Sequence, residues 1–303
     1  MSDYLIGGSP AIKRIRSLLT KLSAETSPLV ITGDPGVGKT LLSLRIHAHS
    51  LLKDRELEIV NFKILSERDQ RVRLLGGSPP ELPTTRRSVL ELPTTVVLKH
   101  IDCASKFLQE QLVNAILSST VIRLGTEDER PVRCRLIFVF NSHPQQLFKT
   151  GAIIPGLSKI LAKYKLIYVP TLKERKEDIP ELAQHFFTQF QIARRKPLDN
   201  NFVKLLQRNK WNENILELKS FVKTLQVMPD DVAIRQKDRI QLAKMILMID
   251  EGKEFSLKDS LSKTEQWFID KALKKHEGIQ AKAAKSLGIT DRTIRHSMKT
   301  DSF

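Results

Sequence analysis

Two hydrophobic periods alternate along the first two thirds of the chain. After Ile6-Gly7-Gly8-Ser9-Pro10, the apolar residues Ile12, Ile15, Leu18, Leu19 and Leu22 recur every three or four positions with basic residues between them, which predicts an amphipathic helix. Residues 28–32, PLVIT, form a short apolar run that reads as a buried strand. A glycine-rich turn and a helix from about Lys39 to Leu52 follow. Ile59–Ile64 reads as a second strand, and 74–86, dense in Gly and Pro, reads as loop. Val96–Leu98, Leu136–Phe140 and Leu166–Val169 are further strands, with helical residues 104–117 between the first two. Strands alternating with helices predict a parallel α/β sheet joined by crossovers. Beyond Pro170 the pattern is helical to about residue 250.

The expected domains are an α/β unit over 1–170, an all-α unit over 171–250, a polar linker over 251–262 and a compact helical unit over 263–303. In that last unit, 264–277 places Phe268, Ala272, Leu273 and His276 near one face, and Gly278 ends the helix. Residues 280–287 form a second helix with Ala283, Ala284 and Leu287 inward. Gly288 makes the turn and Thr290 caps a third helix, Asp291–Thr300. Ile294 and Met298 pack inward there, leaving Arg292, Thr293, Arg295, His296 and Lys299 outward, a surface suited to the major groove of DNA and its flanking phosphates. A helical bundle with a solvated basic face fits the same pattern.

Composition narrows the class. Hydrophobic residues at 41% and charged residues at 28% are ordinary for a globular protein. No apolar run approaches the roughly 18 residues that span a bilayer, and the opening residues lack the features of a secretion signal. The cysteines, Cys103 and Cys134, have no metal-ligand spacing, so a reducing cytoplasm is expected. The net charge of +16 favours a polyanionic partner.

The most specific chemistry is Gly33-Asp34-Pro35-Gly36-Val37-Gly38-Lys39-Thr40, a full match to G-x-x-x-x-G-K-[ST] between a strand and a helix. Its glycines let backbone N–H groups face phosphate oxygens, and the helix N-terminus adds partial positive charge. Lys39 would contact the β- and γ-phosphates, and Thr40 would ligate Mg²⁺ when that ion is bound. ATP or ADP is the expected ligand.

These residues, with several others, resemble the NtrC-type bacterial enhancer-binding proteins that activate sigma-54 RNA polymerase. Ile6–Pro10 is similar to the family's opening element near the adenine, and Ile46-His47-Ala48-His49-Ser50 to the stretch after the phosphate loop. Leu172-Lys173-Glu174-Arg175-Lys176-Glu177-Asp178-Ile179 resembles LRERREDI at the start of the lid. Trp211-Asn212-Glu213-Asn214-Ile215-Leu216-Glu217-Leu218 resembles WPGNVREL, and 283–294 resembles a Fis-type DNA-binding domain. The resemblance implies an AAA+ P-loop parallel sheet with an α-helical lid, plus a small all-α helix-turn-helix domain. The AAA+ domain is expected to begin at residue 1 without a receiver domain, as in one subgroup of the family. Asn141 matches the family's sensor I.

Departures cluster at the hydrolytic parts. Lys99 and His100 stand where the resemblance places the Walker B Asp and Glu; Asp102 could replace the missing acid only through a register shift at the strand exit, which is disfavoured. The segment Gly76-Gly77-Ser78-Pro79-Pro80-Glu81-Leu82-Pro83 lacks the GAFTGA motif that contacts sigma-54. Residues 156–165 hold Lys159 and Lys163 but no arginine finger, and Leu216 fills the sensor II arginine position. The expectation is a bacterial cytoplasmic regulator that binds double-stranded DNA and binds but does not hydrolyse ATP. RNA polymerase is a candidate partner, sigma-54 contact is disfavoured, no membrane is involved, and a dimer is expected over a hexamer. An active sigma-54-dependent ATPase and a non-DNA protein whose last domain dimerises are the alternatives.

Overall fold

Strand β1, Leu29–Thr32, is buried along its whole length, as is β6, Arg135–Phe140. Such continuously buried, mostly apolar strands suit a parallel sheet covered on both faces. With β2 (Glu58–Asn61), β3 (Thr95–Lys99) and β7 (Lys165–Tyr168), they form a five-stranded parallel sheet in the order β2-β3-β6-β1-β7. The computed structural model describes residues 5–77, 84–190 and 200–227, and in the C-terminal part 269, 272–273, 276–287, 289–290 and 293–294. Backbone contacts divide the chain into two units, Met1–Lys237 and Asp238–Phe303.

Alternate strand residues feed two cores. Leu29, Ile31, Val97, Ile137 and Val139 meet Ile12, Ile15 and Leu22 of α1 (Pro10–Ala24) and Leu42 and Ile46 of α2 (Lys39–Ala48). Val30, Val96, Leu98, Leu136 and Phe138 face the opposite layer. There α3 (Glu67–Leu75), α4 (Lys106–Ser118) and α6 (Pro155–Leu161) supply Leu74, Leu108, Leu112 and Leu157. Helix α5 is Pro144–Lys149. Ser9 caps α1 through its side chain and Pro10 begins it, an N-terminus built from standard capping chemistry.

Several boundaries differ from the sequence reading. Helix α2 stops at Ala48, and turns follow in which Leu51 is exposed. Strand β2 ends at Asn61, whose side chain accepts from the Lys63 N–H and turns the chain. Helix α3 was not anticipated. Its cap, Ser66, accepts from the Asp69 N–H, and it carries buried Leu74 and Leu75 out of the expected loop. A hairpin of β4 (Thr120–Ile122) and β5 (Glu129–Pro131) was also missed.

After β7, a 3-10 segment over Leu172–Asp178 leads to α7 (Ile179–Gln189), α8 (Asn200–Arg208) and α9 (Asn214–Val227), which pack together as a small helical layer. Trp211 anchors that layer, its ring edge-on to Phe221 at 5.3 Å and its Nε1–H donated to the Leu206 carbonyl. In the C-terminal unit, Ile269, Ala272, Ala283, Ala284 and Ile294 form a buried cluster, and α10 spans Gln280–Leu287. Gly278, at φ +83°, donates to the Leu273 carbonyl and closes the preceding helix. Phe268, Gly288, Met298 and the expected linker lie outside the described residues.

Candidate functional site

The loop Gly33–Lys39 joins β1 to α2 at the C-terminal edge of the sheet, where open α/β sheets bind ligands. Gly33, Gly36 and Gly38 take φ values of +148°, +76° and +106°. The surroundings make the first two obligatory. A Cβ on Gly33 would strike the Val169 carbonyl, and one on Gly36 would strike the Glu213 carbonyl. Gly38 opens α2, and Lys39 and Thr40 occupy its first turn.

The Lys39 side chain is buried, and its ammonium donates to the carbonyls of Gly33 at 2.5 Å and Asp34 at 2.7 Å. Burial pushes its pKa down to about 8, with Asp34 opposing and Lys99 adding to the shift. The glycines, the helix N-terminus and this lysine fit a nucleotide's phosphates.

The helical layer rests directly on the loop. Asn214, at φ +57°, donates from Nδ2 to the Pro35 carbonyl (2.8 Å) and accepts the Leu172 N–H at Oδ1 (2.7 Å). The Ile215 N–H donates to the Gly36 carbonyl at 3.0 Å. Arg175 is 2% exposed and donates from Nη2 to the Val37 carbonyl, while its Nε has no partner. Burial lowers the Arg175 pKa, against the pull of Asp178 and Glu174. Asp178, fully buried, accepts from the N–H and the hydroxyl of Ser9, each at 2.7 Å. It also lies where any side chain on Gly7 would project. Arg16 completes this junction by donating to the carbonyls of Leu5 and Gly7. Segments about 170 positions apart are thus joined around the glycine-rich loop. Sequence reading matched them to family motifs without revealing the bonds between them.

The other expected site residues fall along the same edge. Strand β3 runs through Lys99, which pairs with Val139, so the alignment of Lys99 with the strand end needs no register shift. His100 follows in left-handed geometry at φ 59° and donates its N–H to the Val139 carbonyl. Burial lowers the His100 pKa; Lys99, Lys39 and Lys63 act in the same direction and Asp102 opposes them. Asp102 lies in the 3-10 turn Ile101–Cys103, its Oδ1 buried without a partner. Asn141 follows the end of β6, between the exits of β1 and β3. Leu216 stands in the first turn of α9, half exposed and beside Gly36. Lys159 and Lys163 are exposed.

A magnesium ion fits this edge poorly. Mg²⁺ requires a near-octahedral shell of oxygens, ordinarily including a carboxylate. Thr40 offers a hydroxyl, but the strand end offers the Lys99 ammonium. Among the described residues no group of three or more His, Cys, Asp and Glu is arranged to hold a metal.

His47 was matched by resemblance alone, and its role is structural. It is buried between Thr95 Oγ1 and the Arg55 carbonyl, tying α2 to the start of β3. In the C-terminal unit the Thr290 side chain accepts from the Thr293 N–H, and the two hydroxyls bond each other at 2.9 Å, as a helix cap would. Ile269, absent from the expected inner face, is fully buried there. Arg292, Arg295, His296 and Lys299 lie outside the described residues, as do 78–83 of the region lacking GAFTGA.

A parallel sheet in this order, a glycine-rich loop after β1 and a helical lid seated on that loop define an AAA+ P-loop domain. The chain belongs to the family of the sigma-54 interaction domain, whose model matches residues 5–166. An AAA+ ATPase lid domain matches 173–246, and the Fis family of bacterial regulatory proteins matches 260–299. Two relatives illustrate the likeness. A putative transcriptional regulatory protein, y4pA of Sinorhizobium fredii, is 29% identical over 97% of this chain and 47% of its own length. The transcriptional regulatory protein ZraR of Escherichia coli is 30% identical over 96% of this chain and 67% of its own. The chain thus spans about half of the first and two thirds of the second. The fold is shared with NtrX from Brucella abortus, crystallised with ADP, at a TM-score of 0.70 and 20% identity over 100% of this chain and 70% of that one. No helix among the described residues is long and apolar enough to cross a membrane.

Proposed function

We propose that the chain is a sequence-specific DNA-binding transcription regulator of the bacterial cytoplasm whose AAA+ domain binds ATP or ADP at Gly33–Thr40 without hydrolysing it efficiently. Lys99 carries the second half of this reading. An intact phosphate loop lies beside a strand end that presents a cation and a neutral imidazole rather than two carboxylates. Leu216 supplies no charge from the lid, and 156–165 supply no guanidinium, whose loss costs about 10³–10⁵ in rate where such a finger operates.

Match to the Fis family supports DNA binding through the last three-helix unit, with Thr290, Arg292, Thr293, Arg295, His296 and Lys299 as the DNA-facing residues. The segment 76–83, without an aromatic-Thr motif, supports a regulator that does not engage sigma-54 in the family's manner and reaches RNA polymerase, if at all, by another surface. A dimer through the C-terminal unit, reading half-sites about one DNA turn apart, is the assembly this favours.

DNA retardation across a salt series tests the regulator reading. Binding should weaken steeply with salt as phosphate neutralisation releases counterions, and the double change Arg295→Ala with Lys299→Ala should abolish it. Unchanged binding by that variant would remove the recognition-helix assignment. Nucleotide recovered from the protein after incubation with ATP and Mg²⁺ should still be ATP; conversion to ADP in excess of the protein would overturn the second half.

A further inference from the structure

The edge of the sheet that carries the phosphate loop also carries a second ammonium. Strand β3 is paired through its last residue, Lys99, with Val139 of β6, and Val139 is paired with Ile31 of β1, two positions before Gly33. Lys99 therefore leaves the sheet on the same side as the loop, two strands away, roughly 10 Å at normal strand spacing, with Asn141 just past the end of the strand between. A lysine side chain spans most of that gap. Among the described residues the Lys99 ammonium makes no hydrogen bond or ion pair, and the residue is half-buried. Without a counter-ion among the described residues, a half-buried ammonium at the mouth of a phosphate-binding loop suits an anionic ligand.

The carboxylates nearby do not neutralise it. Asp34 is exposed in the loop itself, and Asp102 sits beyond His100 on a 3-10 turn. Lys63 adds further positive charge around His100, and Lys39 senses Lys99 directly.

We propose that this site binds the polyphosphate of a nucleotide without a divalent cation, the ammonium of Lys99 taking the charge-neutralising place of the metal. The inference rests on the nucleotide-binding reading above and adds to it the form of the ligand: free ATP or ADP rather than its magnesium complex. It also gives the loss of the strand-end carboxylate a binding purpose. A carboxylate there would repel phosphate unless a metal intervened, whereas a lysine attracts it without one.

The test is a titration of the full chain with a fluorescent ATP analogue, once with excess Mg²⁺ and once with excess EDTA. For the unaltered chain the two dissociation constants should agree within about threefold. Lys99→Asp should weaken binding in EDTA by tenfold or more and recover with Mg²⁺. Lys99→Gln, near in length and uncharged, should show the same loss in EDTA, and it keeps the test open if the aspartate variant does not fold. Lys39→Ala should lose binding in both buffers, which places the probe at the loop. Binding by the unaltered chain that collapses tenfold or more in EDTA would overturn the inference while leaving nucleotide binding intact. So would Lys99→Gln binding in EDTA as tightly as the unaltered chain. Absence of binding in either buffer would overturn the nucleotide-binding reading and this inference with it.

Discussion

Asn214 is the residue whose removal should most clearly separate the lid from the phosphate loop. Its amide spans two segments: Nδ2 bonds the Pro35 carbonyl of the loop and Oδ1 receives the Leu172 N–H at the start of the lid. The residue is 2% exposed and sits at φ +57°, a conformation that asparagine adopts readily and alanine adopts at a cost of about 1 kcal/mol or more. Asn214→Ala loses both bonds, each worth about 1 kcal/mol net, and the stranded Leu172 N–H adds about 1–2 kcal/mol of unmet desolvation. With the left-handed penalty the total is about 4–5 kcal/mol. Asn214→Gly loses the same bonds without the left-handed penalty, so it should cost about 1 kcal/mol less. Because the bonds hold one layer against another, the loss should show first as local opening. Hydrogen exchange of the Ile215 amide, which donates to the Gly36 carbonyl, reads that opening directly. Exchange should accelerate about 100-fold or more in the alanine variant and by less in the glycine variant. Acceleration under threefold in Asn214→Ala, or a glycine variant that opens more than the alanine one, would refute this account of the latch.

Two further outcomes follow from the same junction. Asp178→Ala strands the Ser9 N–H and hydroxyl and leaves Arg175 without its nearby carboxylate, so urea unfolding should show a loss of about 3 kcal/mol or more against about 1 kcal/mol for Ser9→Ala; equal losses would mean that the Ser9 hydroxyl alone makes the contact. Lys39 has its pKa lowered to about 8, so between pH 8 and its unfolded value of 10.5 the unfolded chain holds more protons than the native one. Stability of the ligand-free protein should therefore rise with pH across that window, and affinity for phosphate should fall as the ammonium is lost. Lys39→Met should flatten the stability trend, and parallel stability profiles for the two proteins would contradict the assignment.

Much of this architecture was legible in the chain because its signals are local. The apolar runs at 28–32 and 136–140 mark strands buried on both faces, and the spacing of Ile12, Ile15 and Leu22 marks the helix that covers them. The phosphate loop is contiguous, so its residues and its purpose are read together. Helix α3 escaped notice because polar residues dominate 67–71 and its buried Leu74 and Leu75 adjoin a Gly-Pro stretch. The short hairpin of β4 and β5 has too few residues for alternation to register, and β5 is wholly exposed. Ile269 joins the C-terminal core although the expected inner face did not include it, because a short helix pattern does not fix which neighbouring apolar positions turn inward. The clamp between Asp178 and Ser9 and the latch at Asn214 are pairings across 169 and 42 positions. No periodicity carries such pairings; resemblance flagged the segments, and only the fold shows which atoms meet.

Nucleotide held without turnover by this AAA+ domain can be read in a single set of samples. Binding of a fluorescent ATP analogue and steady-state phosphate release from ATP are followed in the same samples of the full chain with Mg²⁺ present. Binding should be saturable and vanish in Lys39→Ala, with phosphate release indistinguishable from that of the variant. Release on the order of 1 s⁻¹, an ordinary enzymatic rate, that depends on Lys39 would contradict it and make Lys99 and His100 parts of a working hydrolytic site.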